Sequence, residues 1–504
     1  MCIRDSIPYA VSLVLGGLVL GFVPGLPSIT LDPQLILVLF LPPLIYSSAW
    51  LTSWREFRAS LRPILLLAIG LVLVTTIIIA IIAHTIVGLS WPVAFVLGAI
   101  LSPTDAVAAS ATAQRLGLAR RIVTVIEGES MVNDATGLVV YRFAVAVVIT
   151  GSFSLWQGSL QFVVVSLGGL LIGLVIGWPI AWLHRHLDDA PIEITITLLT
   201  PYAAYLLADA LQVSGVLAVL SAGLYLSHQS SRFFSSNTRL QANAVWNVLV
   251  FLLNGFVFLL IGLQLRTILG TIAGYSLPTL IWKALIISLA VIIVRIAWVF
   301  PAAYLPRFMS AHLRARDPYP GWRNVAMVAW IGMRGGLSLA AALALPLSLT
   351  GGAPFPQRDL VIFFTFCVIL VTLVGQGLSL APIIRLFGLR PDNSLEQEHG
   401  QAHLVAVRAA LSRLDELATE PWVPQDAFAH LRSHYEKKLH NLTGQLDGVG
   451  NAHFDEHSPL QQQRQQEVLK AERTAIIRLR DQGHIDDETL RLVERELDLE
   501  EQRL

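Results

Sequence analysis

The chain has 504 residues, 54% of them hydrophobic and only 14% charged, with a mean hydropathy of +0.63. A soluble globular protein carries roughly 25% charged residues, so the composition excludes an ordinary soluble fold and points to a polytopic, all-α membrane protein. The net charge of zero conceals a split: residues 1–389 carry 21 basic and 13 acidic side chains, and residues 390–504 carry 14 and 22.

Twelve apolar segments of about spanning length follow one another in the basic part. They cover 7–22, 33–50, 63–84, 91–112, 122–149, 160–183, 191–208, 210–227, 244–265, 280–303, 323–347 and 359–383. The start, Met1 to Ser6, has neither the basic region nor the cleavage pattern of a signal peptide. One further helix upstream is expected. The loops after even-numbered segments hold thirteen arginines, from Arg55 to Arg323. Those after odd-numbered segments hold two, Arg266 and Arg358. Positive charge stays on the cytoplasmic side. The expectation is a multi-pass protein of the inner (plasma) membrane with its tail in the cytoplasm. Cys2 and Cys367 provide no disulfide framework.

Charges inside the apolar segments carry the functional information, because a charge at bilayer depth is costly and usually binds or pairs with something. At about 1.5 Å per helical residue, Asp105, Asp134, Arg295 and Arg334 lie ~15–20 Å from the arginine-rich edge. They fall in one layer near the midplane, on the fourth, fifth, tenth and eleventh segments. Such a layer is expected of an ion pathway; the competing reading is two buried structural ion pairs. Pro103 removes a backbone donor and should break the fourth segment just before Asp105. The glycines of Gly332-Met333-Arg334-Gly335-Gly336 loosen the eleventh segment at the same depth. The two segments run in opposite directions, so paired interruptions suggest an inverted repeat around a midplane site.

Ser-Pro-Thr-Asp at 102–105, Gly-Glu-Ser-x-x-Asn-Asp at 128–134, the intramembrane Arg295 and Met-Arg-Gly-Gly at 333–336 resemble the bacterial monovalent cation/proton antiporter family 1, the sodium/proton exchangers. Val213 to Val219 resembles a family stretch as well. The resemblance runs from about Ile7 to Leu389. It implies thirteen helices with inverted repeats and two crossed, interrupted helices, and a homodimer. It also implies roles residue by residue. Asp134 is the cation- and proton-binding carboxylate, and so the residue that meets Na⁺. Asn133 is the neighbour that holds it. Ser130 and Thr104 are ligands or water-holders, and Asp105 is the acid beside the unwound crossing. Glu129 and Arg295 are a structural ion pair. One feature departs from some members: Leu41-Pro42-Pro43 is followed by Leu44 to Ser48, with no glutamate.

The chemistry agrees independently of the resemblance. A hard alkali cation takes oxygen ligands. Asp134, Ser130, Thr104 and carbonyls freed by Pro103 offer them. Ser130 and Asp134 are i and i+4, on one helix face. One carboxylate that holds either a proton or a cation gives exchange when access alternates. Asn133, where a second acid would allow two protons, makes one-for-one electroneutral exchange the simpler expectation. The expected function is therefore secondary antiport of a monovalent cation, Na⁺ foremost with K⁺ or Li⁺ open, against H⁺. No enzyme activity, cofactor or nucleic-acid partner is expected; the partners are monovalent cations, protons and the lipid bilayer. A cation channel would also line its path with acids. An intramembrane aspartyl protease would need a Gly-x-Gly-Asp type sequence, which is missing. Arg142 is expected to snorkel or to pair with Asp209.

The tail, residues 390–504, reads as a second, acidic region. Leu404–Leu417, Phe428–Leu442 and Glu467–Leu499 have helical apolar spacing. Eight of the thirteen histidines lie there, and solvated helices commonly carry such residues without a role.

Overall fold

The computed structural model describes residues 9–23, 33–52, 54–105, 113, 118–151, 155–272, 274–349, 352–388, 404–405, 407–412, 414–415, 432–433, 435–440 and 443. The chain divides into two compact units, residues 1–392 and 393–504. Among the described residues no β-strand occurs. The described parts of the second unit are short helical stretches, in which Arg432 pairs with Asp415 and Glu436 at 2.9 Å each.

In the first unit each of the twelve predicted apolar segments overlaps a helix. They are α1 (Tyr9–Gly21), α2 (Pro33–Leu51), α4 (Leu61–Val87), α5 (Trp91–Leu101), α6 (Arg120–Thr150), α7 (Leu155–His184), α8 (Ala190–Ala210), α9 (Gly215–Phe233), α10 (Ser236–Thr271), α11 (Leu277–Met309), α13 (Trp322–Trp330) with α14 (Gly336–Leu343), and α15 (Arg358–Phe387). Two short helices, α3 (Trp54–Ala59) and α12 (Ala311–Arg316), lie between them. Among the described residues seven helices are long and apolar enough to cross a membrane. α1, α2 and α5 contain shorter apolar stretches. The segment expected at 210–227 begins later, because Gln212 turns the chain with φ of 57° and Ser214 caps α9 by accepting the Leu217 N–H. An N-cap hydroxyl satisfies a donor that the first turn leaves open.

The two largest apolar clusters among the described residues organise the helices. One joins α1, α4, α5, α11 and α15; the other joins α2, α8 and α9. α6 runs between them. Its Ile122, Ile126 and Ala144 belong to the first core, and its Met131 and Ala135 to the second. Of the most apolar stretch of α7 only 17% is buried, and Leu171, Val175 and Trp178 lie exposed on it. In water such a face would be unstable; in hydrocarbon it needs no further cover.

At the arginine-rich end, Asp317 ties three long helices together. Its carboxylate accepts from Arg62 of α4 at 3.2 Å, Arg121 of α6 at 2.9 Å and Arg307 of α11 at 2.7 Å. Partial burial pushes the Asp317 carboxyl up, but the bond and charge of Arg121, with Arg307 and Arg62, outweigh this and hold it below its ordinary value. A carboxyl lowered by folding stabilises the fold above its unfolded pKa of about 3.9 and loses that contribution as pH falls through its folded value. Asp317→Asn should therefore lower the melting temperature at neutral pH and flatten its fall below about pH 4. Melting curves measured from pH 3 to 7 check this, and superimposable curves for both proteins would refute it.

Sequence reading missed a second buried polar contact. His184 Nδ1 lies 3.5 Å from Glu193 Oε2, both side chains 1% exposed. Thr238 donates to the same carboxyl, and Phe233 stacks on the imidazole. His184 lies one residue beyond the apolar segment drawn at 160–183 and Glu193 two residues inside the one at 191–208, and neither was singled out from the sequence.

Candidate functional site

The two predicted interruptions meet. α5 ends at Leu101, and residues 102–105 are non-helical. The continuation of that segment, from residue 106 to 112, falls outside the described residues. α13 ends at Trp330, residues 331–335 are non-helical, and α14 begins at Gly336. The two unwound stretches touch directly: the Asp105 N–H donates to the Met333 carbonyl at 2.7 Å.

Breaking a helix leaves carbonyls without partners and a partial negative charge at its C-terminal end. Two buried arginines answer both needs. Arg334 Nε donates to the Leu101 carbonyl, at the end of α5, at 3.0 Å. Arg295 Nε and Nη2 donate to the Val328 carbonyl, in the last turn of α13, at 3.3 and 3.1 Å. The backbone N–H of Arg334 is taken by the hydroxyl of Thr372, at 3.2 Å. Thr372 was not singled out from sequence; its only signal there was a hydroxyl within an apolar segment.

Close approach fixes two glycines. A Cβ on Gly137 of α6 would come within 2.3 Å of the Pro103 ring, so a side chain there would push α6 off the break. A Cβ on Gly335 would come within 1.7 Å of Asp105 Oδ2. The Asp105 carboxylate thus lies against the residue that opens α14, where the helix dipole favours an anion.

Around the breaks a chain of polar contacts runs through α6. Asn133 Nδ2 donates to Thr104 Oγ1 at 2.8 Å, and that hydroxyl donates to Glu129 Oε1 at 3.0 Å. Glu129 receives Arg295 twice, Nη1 on Oε1 at 2.5 Å and Nη2 on Oε2 at 2.9 Å. Both side chains of that pair are 1% exposed. Asn133 therefore bonds across to the broken segment and not to its neighbour, since successive helical residues point about 100° apart. Its Oδ1 is buried with no hydrogen-bond partner. Asp134 and Ser130, one turn apart, are only partly buried. Asp134 is close enough to Asp105 for the two carboxylates to repel each other.

The structure thus gathers nine of the ten residues singled out from sequence: Pro103, Thr104, Asp105, Glu129, Asn133, Asp134, Arg295, Arg334 and Gly335. Ser130 joins them through its place on α6. What the arrangement can do is limited by its chemistry. Glu129 is committed to Arg295 and Thr104. Asp134 is a partly buried carboxylate, one turn from the Ser130 hydroxyl on α6 and near a second acid, Asp105. Oxygen donors of this kind suit a proton or a hard cation.

Comparison with known proteins bears on the same region. The family model described as "Sodium/hydrogen exchanger, transmembrane" matches residues 2–386. A Mycobacterium tuberculosis protein named uncharacterized Na(+)/H(+) exchanger Rv2287 is 38% identical over 98% of this chain and 91% of its own. The sodium, potassium, lithium and rubidium/H(+) antiporter of Bacillus subtilis is 32% identical over 96% of this chain and 72% of its own. The Na(+)/H(+) antiporter ApNhaP of Aphanothece halophytica is 33% identical over 93% and 87%. Among solved structures, the sodium proton antiporter MjNhaP1 of Methanocaldococcus jannaschii at pH 8 superposes with a TM-score of 0.59. It covers 74% of this chain and 93% of its own at 20% identity, a likeness of fold. With broken helices meeting beside buried charge and a family match over most of its membrane part, this chain belongs to the sodium/hydrogen exchanger family.

Proposed function

We propose that the protein is a secondary antiporter that exchanges a monovalent cation for H⁺, with Asp134 as the group both compete for. The observation that carries the site assignment is the division of labour along α6. Glu129 is bonded into the fold by Arg295 and Thr104, whereas Asp134 remains on the partly open face between the two helix cores. When protonated, Asp134 is neutral and releases the cation; when ionised, it takes Na⁺ with Ser130, the Asn133 amide oxygen and carbonyls of the broken segment. Thr104 keeps one lone pair for a ligand or a bound water after its two hydrogen bonds. Arg334 and Arg295 hold the broken ends in place and are not ligands, being cations themselves.

The Bacillus subtilis relative bears sodium, potassium, lithium and rubidium in its name, which supports testing all of these ions here. We assign the protein to the plasma membrane as a homodimer with its acidic tail in the cytoplasm. The arginine distribution supports the orientation, and the exposed apolar face of α7 supports burial in lipid or against a second copy.

One cation for one proton follows from a single exchanging carboxylate. The nearness of Asp105 to Asp134 favours a second reading, in which Asp105 carries a further proton and the cycle moves charge. Proteoliposomes separate the two. With Na⁺, K⁺ or Li⁺ supplied in turn, a cation gradient should drive opposite proton flux. Each elementary charge moved across 100 mV is worth ~2.3 kcal/mol, so a one-for-one cycle is indifferent to an imposed potential. If a potential alone, at zero pH gradient, drives proton uptake coupled to Na⁺ exit, the stoichiometry is wrong. If no cation elicits proton flux, the antiport reading fails.

A further inference from the structure

The hub on Asp317 is short of negative charge. Arg62, Arg121 and Arg307 converge there on one carboxylate. Arg307 is otherwise satisfied: its Nε donates to the Asp317 backbone carbonyl at 3.1 Å, and its Nη1 to the Ala303 carbonyl. Arg62 is not, for its Nε and Nη1 are buried with no hydrogen-bond partner. The Arg121 side chain is 55% exposed and opens the cluster to the surface. Charged donors taken from water without acceptors are destabilising. Among the described residues three guanidinium groups meet one carboxylate, which leaves two positive charges over, and an anion is what would balance them.

The surroundings say which kind. Guanidinium forks match phosphate oxygens in pairs, and arginine clusters recognise phosphate wherever planar bidentate contact is available. Beside Arg62, Leu61 and Leu65 of α4 lie exposed. Beside Arg307, Phe308 and Met309 of α11 are each 77% exposed. Trp322 and Tyr319, also exposed, add the aromatic side chains that favour the headgroup level of a bilayer. A soluble phosphate would use the arginines alone. A phospholipid would use both the arginines and the apolar side chains flanking them.

We propose that Arg62 and Arg121, backed by the charge of the buried Arg307, form a binding site for a phosphate group, carried by an anionic phospholipid whose chains lie along the exposed apolar residues at the ends of α4 and α11. Asp317 holds the three forks together and sets their direction, and the lipid completes the charge balance. The site joins α4, α6 and α11, so a bound lipid stabilises the end of the helix that carries Asp134. It is independent of the exchange reading and is tested without transport.

Full-length protein is purified in mild detergent. Retention of phosphatidylglycerol against phosphatidylcholine is measured by native mass spectrometry, and melting temperature is measured with each lipid and with inorganic phosphate. Wild type should retain phosphatidylglycerol selectively and melt higher with it. An arginine near an anionic lipid surface contributes about fivefold in affinity, so Arg62→Gln with Arg121→Gln should weaken retention about 25-fold. Arg121→Gln alone, at the exposed position, should weaken it about fivefold and serves if the double variant does not fold. Equal retention of both lipids by wild type, or unchanged retention in Arg121→Gln, overturns the site. Stabilisation by inorganic phosphate as large as that by phosphatidylglycerol at equal phosphate concentration overturns the lipid assignment in favour of a soluble anion.

Discussion

Asp134→Asn should abolish cation/proton exchange, by at least two orders of magnitude, while the protein still folds and inserts. Asparagine keeps the size and planarity of the side chain. It cannot bind a proton in the working pH range and offers a cation a dipole where there was a full charge. The fold should tolerate the change, because among the described residues none of the hydrogen bonds and ion pairs of α6 runs through this side chain. Asn133 bonds Thr104, and Glu129 bonds Thr104 and Arg295. The measurement is proton flux in vesicles under a Na⁺ gradient, with a melting curve to establish folding. Clear residual exchange in the variant would move the shared carboxylate elsewhere. Asp105, set against Gly335 and near Asp134, is then the next candidate, and Asp105→Asn would be the variant that loses all flux.

Much of this site was legible because membrane helices leave polar residues so few other reasons to exist. Asp134 and Arg295 stand out against apolar neighbours, and depth counted at about 1.5 Å per residue put them in one layer. Pro103 foretold a break, and the helix does end at Leu101, two residues earlier. What sequence did not show is who bonds whom. The family resemblance made Asn133 the neighbour that holds Asp134. The amide instead crosses to Thr104, because the break brings that hydroxyl beside α6 and neighbouring side chains diverge around a helix. The role of Arg334 was likewise read as a mark of an interrupted helix. Its carbonyl partner at Leu101 is 233 residues away in sequence, and only the crossing of two broken segments makes it a cap. The His184–Glu193 contact was hidden for a different reason: charge near a segment edge looks solvated until the helices around it are placed.

Arg295→Ala should be the most destabilising single change in the membrane part. Removing the guanidinium leaves Glu129, 1% exposed, without its bonded counter-charge, held by the Thr104 hydroxyl and facing only the unbonded charge of Arg334. It also orphans the Val328 carbonyl at the broken end of α13. Breaking a buried pair from one side costs about 3–5 kcal/mol, a large share of the stability of a typical domain. Exchange should fall with the folded fraction, since Arg295 meets no ligand in the proposed cycle. The double variant Glu129→Gln with Arg295→Gln should be milder than Arg295→Ala, because no buried carboxylate is left without its bonded partner and two amides still bond to each other. Glu129→Gln alone should lie between them, keeping an acceptor for the guanidinium but leaving it unneutralised. The readouts are melting temperature, monodisperse yield from the membrane, and flux per folded molecule. An Arg295→Ala protein that melts like wild type yet carries no flux would make Arg295 part of the transport cycle and not of the scaffold. A double variant less stable than Arg295→Ala would show that the pair contributes through its attraction and not merely by keeping each charge from standing alone.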